Sequence, residues 1–187
     1  MRGRIVNRVA RQALARPVSR GYSAVALVHP KSADNYGTAL RSCVVFGVDL
    51  VEVIGRRFRR QPSDTVRSWL KVPVLHKQAD LVIPYDCVPV AVELVPGATL
   101  LPEFVHPERA LYVFGPEDGS LPPAMLARCA RVVSIPGACC LNLAAAVTVV
   151  LYDRAAKQGA MVAPAAMVGR RRAARGEGLA ACAGGEA

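Results

Sequence analysis

Polar side chains that could bind a ligand occur in three short motifs, and each motif follows a predicted buried strand. The motifs are HPKSADNYGTALR with Asn35 and Arg41, FGPEDGSLP with Glu117, and SIPGACCLNLAAAVTVVLYD with Asn142. An Arg guanidinium can bind a phosphate or orient a hydroxyl, and amide and carboxylate groups can fix such a site through hydrogen bonds. Because open α/β sheets bind ligands beyond the carboxyl ends of their strands, each of the three motifs is a candidate ligand site.

Each motif, taken alone, also has an ordinary structural interpretation. Asp34 or Asn35 can cap a helix, and Arg41 can be a surface residue. The Pro-Glu-Asp-Gly sequence is typical of a turn, and Asn142 can cap a core helix. The functional interpretation therefore depends on the occurrence of all three motifs in one chain.

Motifs that the sequence lacks argue against several enzyme classes. There is no G-x-G-x-x-G after the first predicted strand, no Walker loop and no G-x-S-x-G. The chain therefore does not look like a Rossmann dinucleotide enzyme or a P-loop NTPase, and it lacks the nucleophile elbow of a hydrolase. The six Cys form no C-x-x-C pair and the three His are scattered, which predicts reduced thiols in a cytosolic protein and no metal site.

Short apolar segments alternate with helical ones between residues 23 and 158. The predicted strands cover 24–29, 50–54, 72–75, 81–83, 88–94, 111–114 and 132–135, and the predicted helices cover 34–46, 122–129 and 142–157. This alternation predicts an α/β fold, with a parallel sheet and helices on both of its faces.

Basic residues are concentrated at the two ends of the chain and in one internal patch. Residues 1–20 hold six Arg and no acid, and residues 160–187 hold four Arg and two Glu. The segment Gly55–Lys77 holds seven basic residues and one acid. Three basic pieces on a near-neutral body predict a nucleic-acid partner. The candidate RNA-binding residues in the patch are Arg56, Arg57, Arg59 and Arg60.

The two chain ends differ in composition from the segment between them. We expect residues 1–22 to form a flexible basic arm, and residues 159–187, rich in Ala, Gly and Arg, to be disordered. The composition of the first twenty residues fits an RNA-binding arm, a mitochondrial targeting segment or a mis-assigned start of translation. These residues lack the apolar region of a secretory signal. The expected location is the cytoplasm, with mitochondrial targeting as the alternative.

The three motifs, in this order and at this spacing, resemble those of the SPOUT superfamily, in its SpoU (TrmH-type) branch of RNA ribose 2′-O-methyltransferases. The resemblance covers residues 23 to about 157 and defines a methyltransferase domain at 23–158. It implies a parallel α/β fold with a C-terminal deep trefoil knot, which composition would not suggest because knots are rare. It also implies a homodimer that binds S-adenosylmethionine and needs no metal.

The resemblance also implies a role for each candidate site residue. Arg41 would orient or activate the target hydroxyl, while Asn35, Glu117 and Asn142 would hold the site. The residues expected to bind the cofactor are Val92, Glu93, Gly115, Ile135, Cys140 and Leu141. The chain departs from the family pattern at Cys140, where Ser is usual, and at Gly137, where Met or Leu is usual.

The expected function is methyl transfer from S-adenosylmethionine to a ribose 2′-hydroxyl of RNA. Transfer RNA is the expected substrate, because the sequence shows no large additional RNA-binding domain. Ribosomal RNA is the alternative substrate. A non-catalytic RNA-binding relative with the same fold is the alternative of a different class, and the presence of all four polar site residues argues against it.

Overall fold

The computed structural model describes residues 21–58 and 63–159 of the 187-residue chain. Most of the predicted basic arm, almost all of the predicted tail, and Arg59 and Arg60 lie outside the described residues. In the described part of the chain, no helix is long and apolar enough to cross a membrane.

In the described residues, seven parallel strands form a single sheet. The predicted parallel α/β sheet is therefore confirmed. The strands are β1 (Tyr22–Val28), β2 (Leu50–Ile54), β3 (Val74–Lys77), β4 (Val88–Val92), β5 (Thr99–Leu100), β6 (Arg109–Phe114) and β7 (Arg131–Ser134). Their order in the sheet is β3-β2-β1-β6-β4-β7-β5. The α-helices are α1 (Ala33–Val45), α2 (Pro123–Leu126) and α3 (Leu143–Lys157).

The two faces of the sheet are covered differently. On β1, Val25 and Leu27 point to the face covered by α1 and α3, while Ala24 and Ala26 point to the other face. That second face is covered by loops and by α2, which has only four residues. Helices thus lie on both faces as predicted, but the two long helices share one face.

The predicted strand at 81–83 is wrong, and a two-residue strand was missed. Leu81 is buried in a loop, which accounts for the apolar pattern there. The backbone N–H of Val82 donates to Oε2 of the buried Glu52 at 3.1 Å, rather than to a neighbouring strand. The missed strand, β5, is too short to give a periodic pattern.

The long helices are held at their starts by side-chain caps and to each other by a hydroxyl pair. Ser32 caps α1 by accepting a hydrogen bond from the N–H of Asn35 at 3.2 Å. Asn142 caps α3. Between the helices, Oγ of Ser42 lies 2.7 Å from Oγ1 of Thr148.

The far end of α3 is tied to the start of β6. Arg154 is 7% exposed and donates to two backbone carbonyls just before β6, at 2.6 and 2.7 Å. It also donates to the Tyr112 hydroxyl at 3.1 Å. His106 links that hydroxyl (2.6 Å) to the Asp153 carboxylate (2.8 Å). The helix is therefore anchored at both ends.

Candidate functional site

The carboxyl ends of β4, β6 and β7, together with the start of α3, enclose a cavity of about 380 Å³. Parallel strands place all their carboxyl ends at one edge of the sheet, so the loops that follow them meet there. The cavity volume lies in the range of small-molecule sites, roughly 300–1,000 Å³. All six residues expected to bind a cofactor line it: Val92, Glu93, Gly115, Ile135, Cys140 and Leu141.

Three of the four polar site residues form one hydrogen-bonded chain beside this cavity, and one of them, Glu117, lines it. Asn142 Nδ2 donates to Asn35 Oδ1 at 2.9 Å, and Asn35 Nδ2 donates to Glu117 Oε1 at 3.0 Å. At the other end, Asn142 Oδ1 accepts hydrogen bonds from the first N–H groups of α3. The chain joins the starts of α1 and α3 to the loop after β6.

Glu117 is held as a carboxylate by the groups around it. Its oxygens also accept the backbone N–H groups of Lys31 at 2.8 Å and Ser32 at 3.1 Å. Burial raises the pKa of Glu117, but the hydrogen bonds from Asn35, Lys31 and Ser32 outweigh this and lower the pKa below its ordinary value. Glu117 is therefore ionised at neutral pH, and three hydrogen bonds already occupy most of its acceptor capacity. This arrangement suits a positioning group better than a proton acceptor.

The structure does not bring Arg41 into this hydrogen-bonded chain. Arg41 follows Asn35 by six residues on α1, which turns it about 120° around the helix axis. Its side chain is exposed and has no hydrogen bond or ion pair with the described residues. It shares an outward stripe of α1 with Val45, one turn further along.

The described part of the basic patch adjoins the site through Lys31. Arg56 Nη1 donates to the Lys31 carbonyl at 3.0 Å, and the Arg56 guanidinium lies over the Phe58 ring, 5.1 Å from its centroid. The Lys31 ammonium forms an ion pair with Asp118, and Arg57 is exposed. The sequence analysis did not single out Lys31, although its place in the first motif, three residues after the end of β1, was a usable signal.

Glu93 connects two of the loops that line the cavity. Its Oε2 accepts the N–H of Leu121 at 2.8 Å, and its Oε1 accepts the N–H of Leu94 at 3.0 Å. The carboxylate thereby fixes the loop after β4 to the loop after β6. Within the residues that the structure describes, no group of three or more His, Cys, Asp or Glu side chains could hold a metal ion.

Comparison with known proteins identifies relatives of this fold. A family model described as the SpoU rRNA methylase family matches residues 22–152. No curated protein matches the sequence.

Several solved structures share the fold at low sequence identity. A structure that concerns the 2-OH methylation of C/U34 on tRNA has a TM-score of 0.65 at 23% identity, over 75% of this chain and 99% of that one. The A. aeolicus TrmH/SpoU tRNA modifying enzyme has a TM-score of 0.63 at 18% identity, over 74% and 77%. The SpoU methyltransferase AviRb from Streptomyces viridochromogenes has a TM-score of 0.62 at 22% identity, over 73% of this chain and 60% of its own length.

Proposed function

The chain belongs to the SpoU rRNA methylase family, and from this membership we propose that it transfers a methyl group from S-adenosylmethionine to a ribose 2′-hydroxyl of RNA. One observation carries the proposal. The Asn142–Asn35–Glu117 chain of hydrogen bonds stands beside a cavity lined by all six residues expected to bind the cofactor. The chain spans only 60% of the length of the AviRb chain, so the activity of AviRb is not taken over for it.

The cavity suits S-adenosylmethionine in volume and in chemistry. Its walls combine apolar side chains, among them Phe114 and Leu143, with the backbone of the loops after β4, β6 and β7. Such walls can bury an adenine ring while N–H and C=O groups bind its edge. When bound, the cofactor supplies an electrophilic methyl group on a sulfonium. Val92, Glu93, Gly115, Ile135, Cys140 and Leu141 would hold it.

The protein residues would act chiefly by alignment. Methyl transfer to a hydroxyl needs the oxygen in line with the methyl group, and positioning can contribute a large part of the rate. We assign this positioning to Asn35, Glu117 and Asn142, because their hydrogen bonds fix one another. Arg41 is almost always protonated, so its role is to orient the hydroxyl and to stabilise developing negative charge.

A homodimer and a C-terminal knot belong to the same proposal. Val45 is 67% exposed, Tyr152 52% and Val149 36%, and these residues lie on α1 and α3, which pack together. An exposed apolar face of this kind is typical of an association surface. A dimer formed through it would bring Arg41, on the same stripe as Val45, to the boundary between two copies. The deep trefoil knot around α3 is proposed from the family alone.

Transfer RNA is the proposed substrate and ribosomal RNA the alternative. In support of tRNA, this chain spans 99% of the structure that concerns methylation of C/U34 on tRNA. In support of rRNA, the description of the matching family names rRNA. Lys31 and Arg56 adjoin the site, Arg57 is the exposed residue after Arg56, and the three carry the positive charge that an RNA backbone requires. The proposed location remains the cytoplasm, with mitochondrial targeting by residues 1–20 as the alternative.

Two measurements on the purified chain test the proposal. Calorimetry should detect binding of S-adenosylmethionine, and labelled methyl groups should pass to total RNA, where mapping identifies the nucleotide and the ribose oxygen. A chain that binds the cofactor but methylates a base would overturn the 2′-O assignment. A chain that binds RNA without binding the cofactor would favour the non-catalytic alternative.

The Arg41→Ala variant tests the proposed catalytic role. We expect it to lower kcat about 100-fold, the usual cost of removing one group that stabilises developing charge. Cofactor affinity should be unchanged, because Arg41 does not line the cavity. Arg41→Lys is the matched control, since it keeps the charge and loses the planar fork, and it should restore only part of the rate. Full activity of Arg41→Ala would contradict the role.

A further inference from the structure

Two adjacent cysteines form part of the cavity wall. Cys139 and Cys140 lie in the loop between β7 and α3, and both are exposed and line the cavity. The other described cysteines differ, because Cys43 and Cys87 are buried, Cys129 is partly buried, and none of them lines the cavity. Among the described cysteines, Cys139 and Cys140 are therefore the thiols that a reagent in solution reaches most easily.

Because the two cysteines are adjacent, oxidation should join one of them to an external thiol compound rather than join them to each other. Consecutive Cα atoms lie about 3.8 Å apart, whereas disulfides usually span roughly 4.4–6.8 Å. A disulfide between Cys139 and Cys140 would therefore be strained. All five described cysteines are free, and no other described cysteine lines the cavity.

We propose that Cys139 and Cys140 form a thiol-modification site, at which a low-molecular-weight disulfide of the glutathione class closes the cavity to S-adenosylmethionine. The proposal rests on the proposed function, which identifies the ligand of the cavity. The cysteine gives up its proton, and its sulfur attacks one sulfur of the small disulfide. A protein–glutathione S–S bond forms, the S–S bond of the reagent breaks, and the released thiolate takes up a proton.

The effect on the cavity follows from size. A glutathione adduct attaches a tripeptide to the wall of a cavity of about 380 Å³. The tripeptide then occupies space that a nucleoside-sized ligand needs. Because a reducing agent regenerates the thiol, the modification would switch cofactor binding off reversibly.

The experiment uses the full reduced chain and oxidised glutathione as the probe. Peptide mass spectrometry should locate the adduct on Cys139 or Cys140, and calorimetry should show that S-adenosylmethionine binding is lost and returns on reduction. Cofactor present at 100 times its Kd should slow adduct formation about 100-fold, because only free protein then reacts. The proposal would be overturned by an adduct that leaves cofactor binding unchanged. It would also be overturned by a rate of adduct formation that is the same with and without the cofactor.

Serine variants identify the thiol that matters. For each variant, the Kd for S-adenosylmethionine is compared before and after glutathione disulfide. The ratio should be near one for the Cys139→Ser/Cys140→Ser double variant, and large for Cys129→Ser, the matched control outside the cavity. A large ratio in the double variant would overturn the proposal. Reduced wild-type protein that binds no cofactor would instead refute the proposed function, and this proposal with it.

Discussion

At the scale of single residues, Asn142 has two structural roles with one side chain. Its Oδ1 caps α3 by accepting the N–H groups of Ala144 at 2.9 Å and Ala145 at 3.4 Å, and its Nδ2 donates to Asn35 at 2.9 Å. Because Asn35 Oδ1 is thereby occupied, the Asn35 amide must turn its Nδ2 toward Glu117. The orientation of the whole group therefore begins at the helix cap.

Two substitutions at Asn142 separate these roles. We expect Asn142→Ala to lower the free energy of unfolding by about 1 kcal/mol through loss of the cap, and to reduce methyl transfer because Asn35 loses its donor. Asn142→Ser is the control, since its hydroxyl can cap the helix but is too short to donate to Asn35. Denaturant unfolding should show near-normal stability for the Ser variant. Wild-type activity in that variant would show that the link to Asn35 is dispensable.

Glu117 should make stability depend on acidity. Its pKa in the folded chain lies below the ordinary value of 4.5, so its stabilising effect is complete above pH 4.5 and is lost as the pH falls through the lowered folded-state pKa. Glu117→Gln should flatten this acid limb and lower stability at neutral pH, because an amide cannot accept as many N–H groups as a carboxylate can.

Urea unfolding midpoints measured across this acid range test the prediction. Glu103→Gln provides the control, because Glu103 is an exposed glutamate in the turn that follows β5. It should follow the wild-type profile. An acid limb that persists in Glu117→Gln would show that other groups produce it.

At the scale of elements, α1 and α3 act as one unit. Their hydroxyl pair, Ser42 and Thr148, faces inward, while Val45 and Tyr152 face outward, where the Tyr152 ring meets Phe46 edge-on with the ring centroids 6.3 Å apart. The helices therefore present a combined apolar face rather than two separate ones. The proposed dimer follows from that face.

A charge placed on this face should separate the dimer. We expect Tyr152→Lys to raise the dissociation constant of the dimer at least about 10-fold, since burying an unpaired polar group costs roughly 1–3 kcal/mol and a charge costs more. Tyr85→Lys is the matched control, because Tyr85 is 92% exposed and its loop neighbours Ile83 and Cys87 pack on the other face of the sheet. Sedimentation velocity distinguishes the outcomes. A dimer unaffected by Tyr152→Lys would place the interface elsewhere.

The sequence predicts strands and helices well where their buried apolar residues recur at a regular spacing. β2 has the predicted bounds, and β1, α1 and α3 lie within two residues of theirs, because each is long enough to show its pattern. The segment 81–83 was wrongly predicted to be a strand, because the buried Leu81 of this loop gives an apolar pattern like that of a strand. Period alone cannot distinguish a residue buried by a strand from one buried by a loop.

The site was predictable in residue type but not in geometry. Asn35, Glu117 and Asn142 meet because their motifs all follow parallel strands, which the alternation of elements indicates. Arg41 does not join them, because it follows Asn35 by six residues on α1 and is therefore turned about 120° around the helix axis. Lys31 was missed because it acts largely through its backbone N–H and C=O, which every residue type provides.

At the scale of the whole molecule, positive charge lies close to the candidate site. Lys31, Arg56 and Arg57 stand at the carboxyl edge of the sheet, and the Arg56 guanidinium is held by a carbonyl and an aromatic ring. A guanidinium fixed in this way can bind a phosphate at a lower entropic cost than a mobile one. The edge that holds the site is thus suited to an RNA backbone.

The salt dependence of RNA binding tests this assignment. Arg56→Ala and Arg57→Ala should each weaken binding and reduce the slope of log K against log salt concentration by about 0.7–1 for each phosphate that the variant no longer binds. Arg131→Ala is the control, because Arg131 is exposed at the start of β7, on the opposite edge of the sheet. Equal slopes for all three variants would remove the patch from the RNA interface.

The links that complete the site also determine when it can form. Asn142 bonds to Asn35 across 107 residues, and Thr148 pairs with Ser42 across 106. The seven strands of the described residues all precede α3 in the chain, so the sheet can pair before these contacts exist. Contacts of such long range are slow to close, because their loop entropy is lost before they stabilise anything. On a ribosome the sheet would therefore emerge first, and ligand binding would begin only after the last helix had docked.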